Sequence, residues 1–243
     1  MKMKFTLKYF FSFLILFLTL GLFAQNTQDK KQEKKSDSVV PKTERYGIRV
    51  GIDISKLAQT LYEKNYRGFE IVGDYRLTKR LFLAGEIGSE NKNVIDNTLN
   101  FTTTGTYFKV GFDVNNYENW LDMENIIHVG LRYGVSSFSQ KLNSYKIYNT
   151  STYYPQTPEI ISDTNYNGLS AQWAEVVVGV KVEVLNNIYI GFSGRMNYLF
   201  SNKKPENFDN LYIPGFNRTY DGKFGVGWNY TISYFIPLYK SKK

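Results

Sequence analysis

The sequence predicts an all-β fold, an eight-stranded antiparallel up-and-down transmembrane β-barrel with short periplasmic turns and long outer loops. Three observations predict it. Eight segments after residue 45 alternate apolar and polar residues with period two, as strands do. No charge lies on the apolar set of any of the eight. The connections between them alternate in length, so the longer ones fall at one end and the shorter ones, with both termini, at the other.

The chain opens "MKMKFTLKYFFSFLILFLTLGLFAQ". Lys2, Lys4 and Lys8 form a basic start, Phe10 to Phe23 is an uncharged apolar run, and Ala24 suits a cleavage site. Residues 1–24 therefore read as a secretory signal peptide, too short in its apolar run for a spanning helix. Residues 25–44, "QNTQDKKQEKKSDSVVPKTE", are charged and nearly without apolar side chains. Such a segment cannot bury enough surface to offset its chain entropy, and it reads as a flexible leader to a barrel domain at 45–243. The sequence contains no Cys. That excludes a lipid-anchored Cys, disulfides and thiolate metal sites, although an exported chain could form disulfides.

The strands follow in order. "YGIRVGIDI" sets Ile48, Val50, Ile52 and Ile54 against Arg49 and Asp53; "GFEIVGDYR" sets Phe69, Ile71 and Tyr75 against Glu70, Asp74 and Arg76. "RLFLAGEIG" sets Leu81, Leu83 and Ile87 against Glu86; "YFKVGFDV" sets Phe108, Val110, Phe112 and Val114 against Lys109 and Asp113. "IHVGLRYGV" sets Ile127, Val129, Leu131, Tyr133 and Val135 against His128 and Arg132. "WAEVVVGVKVEVL" sets Val176, Val178, Val180, Val182 and Val184 against Glu175, Lys181 and Glu183. "IYIGFSGRMNY" sets Ile188, Ile190, Phe192 and Met196 against Ser193 and Arg195. "KFGVGWNYTISYFI" sets Val226, Trp228, Tyr230 and Ile232 against glycines, Asn229 and Ser233. Residues 77–79 and 185–187 are tight turns and 115–125 a medium one; loops are expected at roughly 55–66, 89–105, 139–171 and 201–222.

Which set faces water decides the class. A soluble lipocalin-like barrel would turn its apolar set inward around a ligand; a membrane barrel does the reverse. A charge on a lipid face costs about 2–4 kcal/mol at mid-depth, and none is found on the apolar sets. The charged set is nearly balanced, as an enclosed lumen needs, because buried charges are tolerated when paired and hydrogen-bonded. The expected lumen network is Arg49, Asp53, Glu70, Asp74, Arg76, Glu86, Lys109, Asp113, His128, Arg132, Glu175, Lys181, Glu183 and Arg195. Glycines accompany these charges and leave room for long side chains in a narrow barrel. The expected lipid face is Ile48, Val50, Ile52, Phe108, Val110, Phe112, Val129, Leu131, Val176, Val178, Val180, Val182, Ile190, Phe192, Val226, Trp228, Tyr230 and Ile232. The outer-membrane lipid is thus the first expected partner.

The formal net charge of +8 points elsewhere than it first suggests. Residues 46–239 hold 18 basic and 18 acidic residues, so the basicity sits at the two ends. A nucleic-acid partner would call for a basic face on the folded body, and none is expected.

Several segments together resemble a known family. They are "KTERYGIRVGIDISK", "GFEIVGDYRLTKRLFLAGEIG", "NWLDMENIIHVGLRYGVSSFSQ", "AEVVVGVKVEVLNNIYIGFSGRMN" and "FDNLYIPGFNRTYDGKFGVGWNYTISYFIPLY". The chain resembles an uncharacterised family of exported Bacteroidota proteins, domain-of-unknown-function family 6048, over nearly everything after about Pro41. The resemblance implies a predicted outer-membrane β-barrel and no known activity, and it carries over no functional residues. Outer-membrane barrels often end on an aromatic residue; here Tyr239 is followed by Lys240 to Lys243.

Chemistry is sparse. His128 is the sole histidine; an outer-membrane lipid hydrolase or acyltransferase could use it as a base with Ser136 or Ser193, and the plainer reading is a hydrogen-bonded lumen residue. "DTNYNG", residues 163–168, matches half of a calcium loop, but position twelve is Ala174 and the plainer reading is an Asn-rich surface turn. No catalytic set, cofactor or metal site is assigned. The function expected is a structural or interaction barrel with a packed, charge-paired lumen and no open pore, meeting a protein or surface ligand at loops 139–171 and 201–222. Two alternatives stay open: the rim-sited lipid enzyme using His128, and a soluble periplasmic carrier of lipophilic ligands.

Overall fold

The computed structural model describes residues 43–118, 124–147, 158–205, 209–217 and 222–242. The expected signal peptide and nearly all of the expected leader lie outside them. Eight strands form a closed antiparallel barrel in sequence order. They are β1 (Thr43–Asp53), β2 (Tyr66–Arg76), β3 (Leu81–Ile95), β4 (Leu99–Asn115), β5 (Ile126–Tyr145), β6 (Ile160–Leu185), β7 (Ile188–Lys203) and β8 (Phe224–Lys242), with one helix, α1 (Ile54–Tyr62), after β1. Closure comes from β1 on β8, where Ile48 lies opposite Ile236 and Ile52 opposite Ile232. The tight turns sit at one end, the turn end; α1 and the long hairpins rise from the other, the loop end. The β6–β7 turn is tight because Asn187 takes a left-handed backbone (φ 65°).

The two faces of the ring differ as period two requires. Ile48, Val50, Ile52, Phe108, Val110, Phe112, Val129, Leu131, Val176, Val178, Val180, Val182, Ile190, Phe192, Val226, Trp228, Tyr230 and Ile232 are exposed on the outer surface. The alternate positions point inward and are buried; Glu70 and Asp53 are 0% exposed.

The structure corrects the loops in three places. The segment read as a loop at 55–66 begins with a helix. Asp53 ends the strand because its side chain caps the helix, its Oδ1 accepting from Ser55 N (2.8 Å) and Ser55 Oγ (2.6 Å). Helix α1 is amphipathic, with Ile54, Leu57, Ala58 and Leu61 on one stripe and Lys56 and Gln59 on another, continued by Glu63 at its C-cap. It packs against β2 and β8 and takes the place of β1 in the loop half of the wall. Second, the loop read at 89–105 is mostly strand, since β3 runs to Ile95 and β4 starts at Leu99. Third, 139–171 is largely strand too: β5 continues to Tyr145 and β6 begins at Ile160. These extensions escaped the apolar alternation because their outward positions are polar, among them Thr104, Thr106, Ser137 and Ser139. Residues 163–168 lie within β6, with Asp163 bonded to Lys141 (2.7 Å) rather than in a free turn.

Candidate functional site

The barrel interior is filled in three levels. At the turn end Arg45 binds Glu124 (3.0 Å), Glu183 (2.9 Å) and Asn187 (3.0 Å), while Arg76 binds Glu44 (3.0 Å) and donates to Arg45 O (3.0 Å). Arg76 and Glu183, expected in the lumen, therefore close its rim. Burial opposes the charge on Arg45, but the two carboxylates outweigh it and hold the guanidinium's pKa above its ordinary value.

The middle level is a continuous ion-pair network. Asp74 accepts from Arg49 Nε (2.8 Å) and Lys181 Nζ (2.6 Å). Asp113 meets Arg132 (2.7 Å), Lys181 (3.6 Å) and His128 Nε2 (3.8 Å). Glu86 is gripped in bidentate fashion by Arg195 (2.5 and 3.0 Å), and Arg195 reaches on to Glu175 (3.2 Å). Lys109 lies between Glu86 (3.4 Å), Glu175 (3.2 Å) and Glu70 (4.0 Å). Trp173 Nε1 donates to Glu175 (2.6 Å); Asn229 bonds Asp53 and Glu70, and Tyr107 hydroxyl bonds Glu70. Glycines make the space: a methyl group on Gly134 would sit 2.3 Å from the Trp173 ring. A void beside Arg49, Asp74 and His128 is about 40 Å³, water-sized.

The sequence alone left the partners of His128 open. Ser136 is eight residues along the same strand, about 26 Å away, and donates to Thr106 O (3.1 Å). Ser193 is brought near, since both His128 and Ser193 flank Gly179 across the β5–β6–β7 register. Among the described residues no hydrogen bond joins His128 to Ser193, and the water-sized void beside them has no room for an acyl chain.

The loop end carries residues that period two did not single out. Lys56 of α1 pairs with Glu90, which is 1% exposed and also accepts from Tyr212 hydroxyl (2.5 Å) and Gly215 N (3.2 Å). Lys92 pairs with Glu63 (3.2 Å) and lies over the rings of Tyr66 and Tyr212. The segment 209–217 folds into the barrel mouth. Ile213 and Phe216 are buried with Tyr107, Phe138, Leu169, Trp173 and Leu199, and Gln140 ties the segment by bonds to Asp209 O (3.1 Å) and Leu211 N (3.1 Å). Glu90 and Lys92 continue the inward phase of Glu86, a signal that was present but lay past Ile87, where the apolar alternation of the outer face stops. Among the described residues no cluster of His, Asp and Glu could hold a metal ion.

Comparison with known proteins gives three findings. A family model described as "Domain of unknown function (DUF6048)" matches residues 6–241, reaching well before Pro41. No curated protein matches the chain. Among solved structures the chain is similar to Ail, the attachment invasion locus protein of Yersinia pestis, with 13% identity, a TM-score of 0.39, and coverage of 79% of this chain and 98% of that one.

Proposed function

The chain belongs to the DUF6048 family, and we propose that it is a small transmembrane β-barrel of the outer membrane that acts as a structural or interaction protein. Residues 1–24 are its export signal, and the barrel domain begins with β1 at Thr43, two residues ahead of the boundary at 45 expected from the sequence. The observation that carries this reading is the apolar belt on the outside of every strand, set against a buried, charge-paired interior. Water-soluble monomers rarely expose contiguous apolar patches beyond a few hundred Å². A bilayer core instead requires a closed ring of strands, each with about ten residues at lipid depth. The apolar belt covers 69–75, 81–88, 106–114, 127–135, 174–184, 188–200 and 224–236, and on the first strand only 48–52, beyond which α1 continues the wall.

The turn end faces the periplasm and the loop end faces out. The β5–β6 hairpin is the main outward projection, for its 20- and 26-residue strands exceed what the bilayer needs. It presents polar backbone and side chains to an external partner. In gels of the outer-membrane fraction the unboiled protein should migrate differently from the boiled one and resist carbonate extraction. Release as a soluble protein with one mobility would overturn the reading. Trimming the hairpin beyond residues 142 and 164 should leave that shift intact while abolishing partner binding, because the buried Phe138, Leu169 and Ala171 stay in place.

A further inference from the structure

The wall of the barrel has a seam. Strand β8 loses its β1 partner after Thr231, so residues 224–230 pair only with β7. Helix α1 faces this edge. On its other flank α1 is tied to β2, with Gly68 N donating to Thr60 Oγ1 (2.9 Å) and Tyr66 N to Glu63 O (3.0 Å). Among the described residues no hydrogen bond joins residues 54–62 to 224–230, where the one tie is the bond from Asn229 to Asp53, the cap of α1. Given the membrane-spanning reading above, on which this inference rests, that edge lies at lipid depth. Unpaired backbone there is tolerated only where it lines a polar or wet cavity.

Such a cavity is present, with a volume of about 310 Å³, near the lower size of small-molecule sites. On its inner side it is lined by Lys56, Lys92, Tyr212 and Asn217, and on its outer side by Tyr62 and Trp228. Both outer residues are well exposed on the belt surface, Tyr62 at 72% and Trp228 at 58%. Among the described residues no carboxylate lines it; Glu90 and Glu63, the partners of the two lysines, lie outside its lining. A cavity with two ammonium groups inside and aromatic rings at its lipid-facing lip suits a ligand with an anionic head and an apolar tail.

We propose that the seam between α1 and the loop half of β8 is a lateral binding site for an amphiphile with a phosphate-bearing headgroup. The headgroup sits against Lys56 and Lys92, and its acyl chain leaves the wall past Trp228 into the bilayer. Gly227 supplies a variant that leaves the lysines untouched. Its backbone is not left-handed, and among the described residues an added Cβ would meet only Asn217 Nδ2, at 3.9 Å, so the Cβ of Gly227→Leu has room and its side chain would occupy the cavity. Lys92→Gln removes one cation and keeps the Lys56–Glu90 pair.

The full chain is reconstituted in phosphatidylcholine vesicles doped with spin-labelled phosphatidic acid or spin-labelled phosphatidylcholine, and the motionally restricted lipid is measured. The wild type should restrict phosphatidic acid several-fold more than phosphatidylcholine. Gly227→Leu and Lys92→Gln should lose that preference and keep the mobility shift on boiling. Equal restriction of both lipids by an inserted wild-type barrel overturns this inference alone, as does a preference that survives both substitutions. Displacement of the labelled lipid by equimolar glycerol phosphate overturns the amphiphile and assigns the cavity to soluble phosphate esters. A chain that does not insert overturns the membrane reading and the seam site with it.

Discussion

Arg195 sits between Glu86 and Glu175, with its guanidinium forked onto Glu86. Arg195→Met would leave Glu175 with Lys109 as its cation and Glu86 with longer contacts to Lys109 and Arg132. Removing one partner of a buried pair costs about 3–5 kcal/mol, so a large fall in the urea midpoint of the folded barrel is expected. Glu183→Gln at the turn-end rim breaks a partly exposed pair, worth about 0–1 kcal/mol, and should barely move it. Equal effects of the two changes would mean that the lumen network is no tighter than the rim. Glu63, past the end of α1 and beyond the belt, makes a pH prediction. Burial would raise its pKa, but bonds from Gln59 and Lys92 and the Lys92 charge prevail and hold it below the ordinary carboxylate value. Its contribution is therefore present above the unfolded pKa of about 4.5 and lost as pH falls through the lower folded value. Hydrogen exchange in the last turn of α1 should accelerate as pH falls below the unfolded pKa of about 4.5 in the wild type and not in Glu63→Gln. The types of these residues were legible in the sequence; their partners were not. Lys181 and Asp74 are 107 positions apart, and their contact depends on how the ring closes.

At the scale of elements, alternation was legible wherever lipid-facing positions are apolar, and the eight strands were found by it. The strand extensions were not, because beyond the belt their outward residues are Thr, Ser and Asn and no longer alternate in hydropathy. Helix α1 had a signal in Asp53 followed by the 3.6-residue stripe of Ile54, Leu57, Ala58 and Leu61. A period-two reading of "YGIRVGIDI" absorbed Ile54 into the strand and hid it. The helix is the least anchored part of the wall, tied to β2 and, beyond its cap at Asp53, not to the loop half of β8. Proline at Ala58 removes an interior helical bond and should cost the helix about 3 kcal/mol. Ala58→Pro is expected to keep the mobility shift on boiling, since β1–β8 pairing closes the ring below α1, while making Lys56 and Lys64 accessible to trypsin. Loss of the shift itself would mean that α1 is required for closure.

For the whole molecule, two barriers stand in series along the barrel axis. The segment 209–217 fills the mouth through Ile213 and Phe216, and the network from Arg49 to Lys109 fills the middle. Eight strands enclose only enough width for side chains to fill, and the void beside Arg49, Asp74 and His128 holds little more than water. Either barrier alone should therefore block ions. The wild-type barrel in a planar bilayer is expected to show no steady conductance, and the triple change of Tyr212, Ile213 and Phe216 to Ala should not open it, since the ion pairs below remain. Shaving the middle as well, with Glu86, Arg132 and Arg195 all replaced by Ala in the same protein, removes the long side chains that meet across the lumen. That protein should pass small ions if it still inserts, as read by its mobility shift. A steady wild-type conductance would mean that the charged side chains move apart in the membrane. The lumen would then be a water path lined by paired charges, not a packed core.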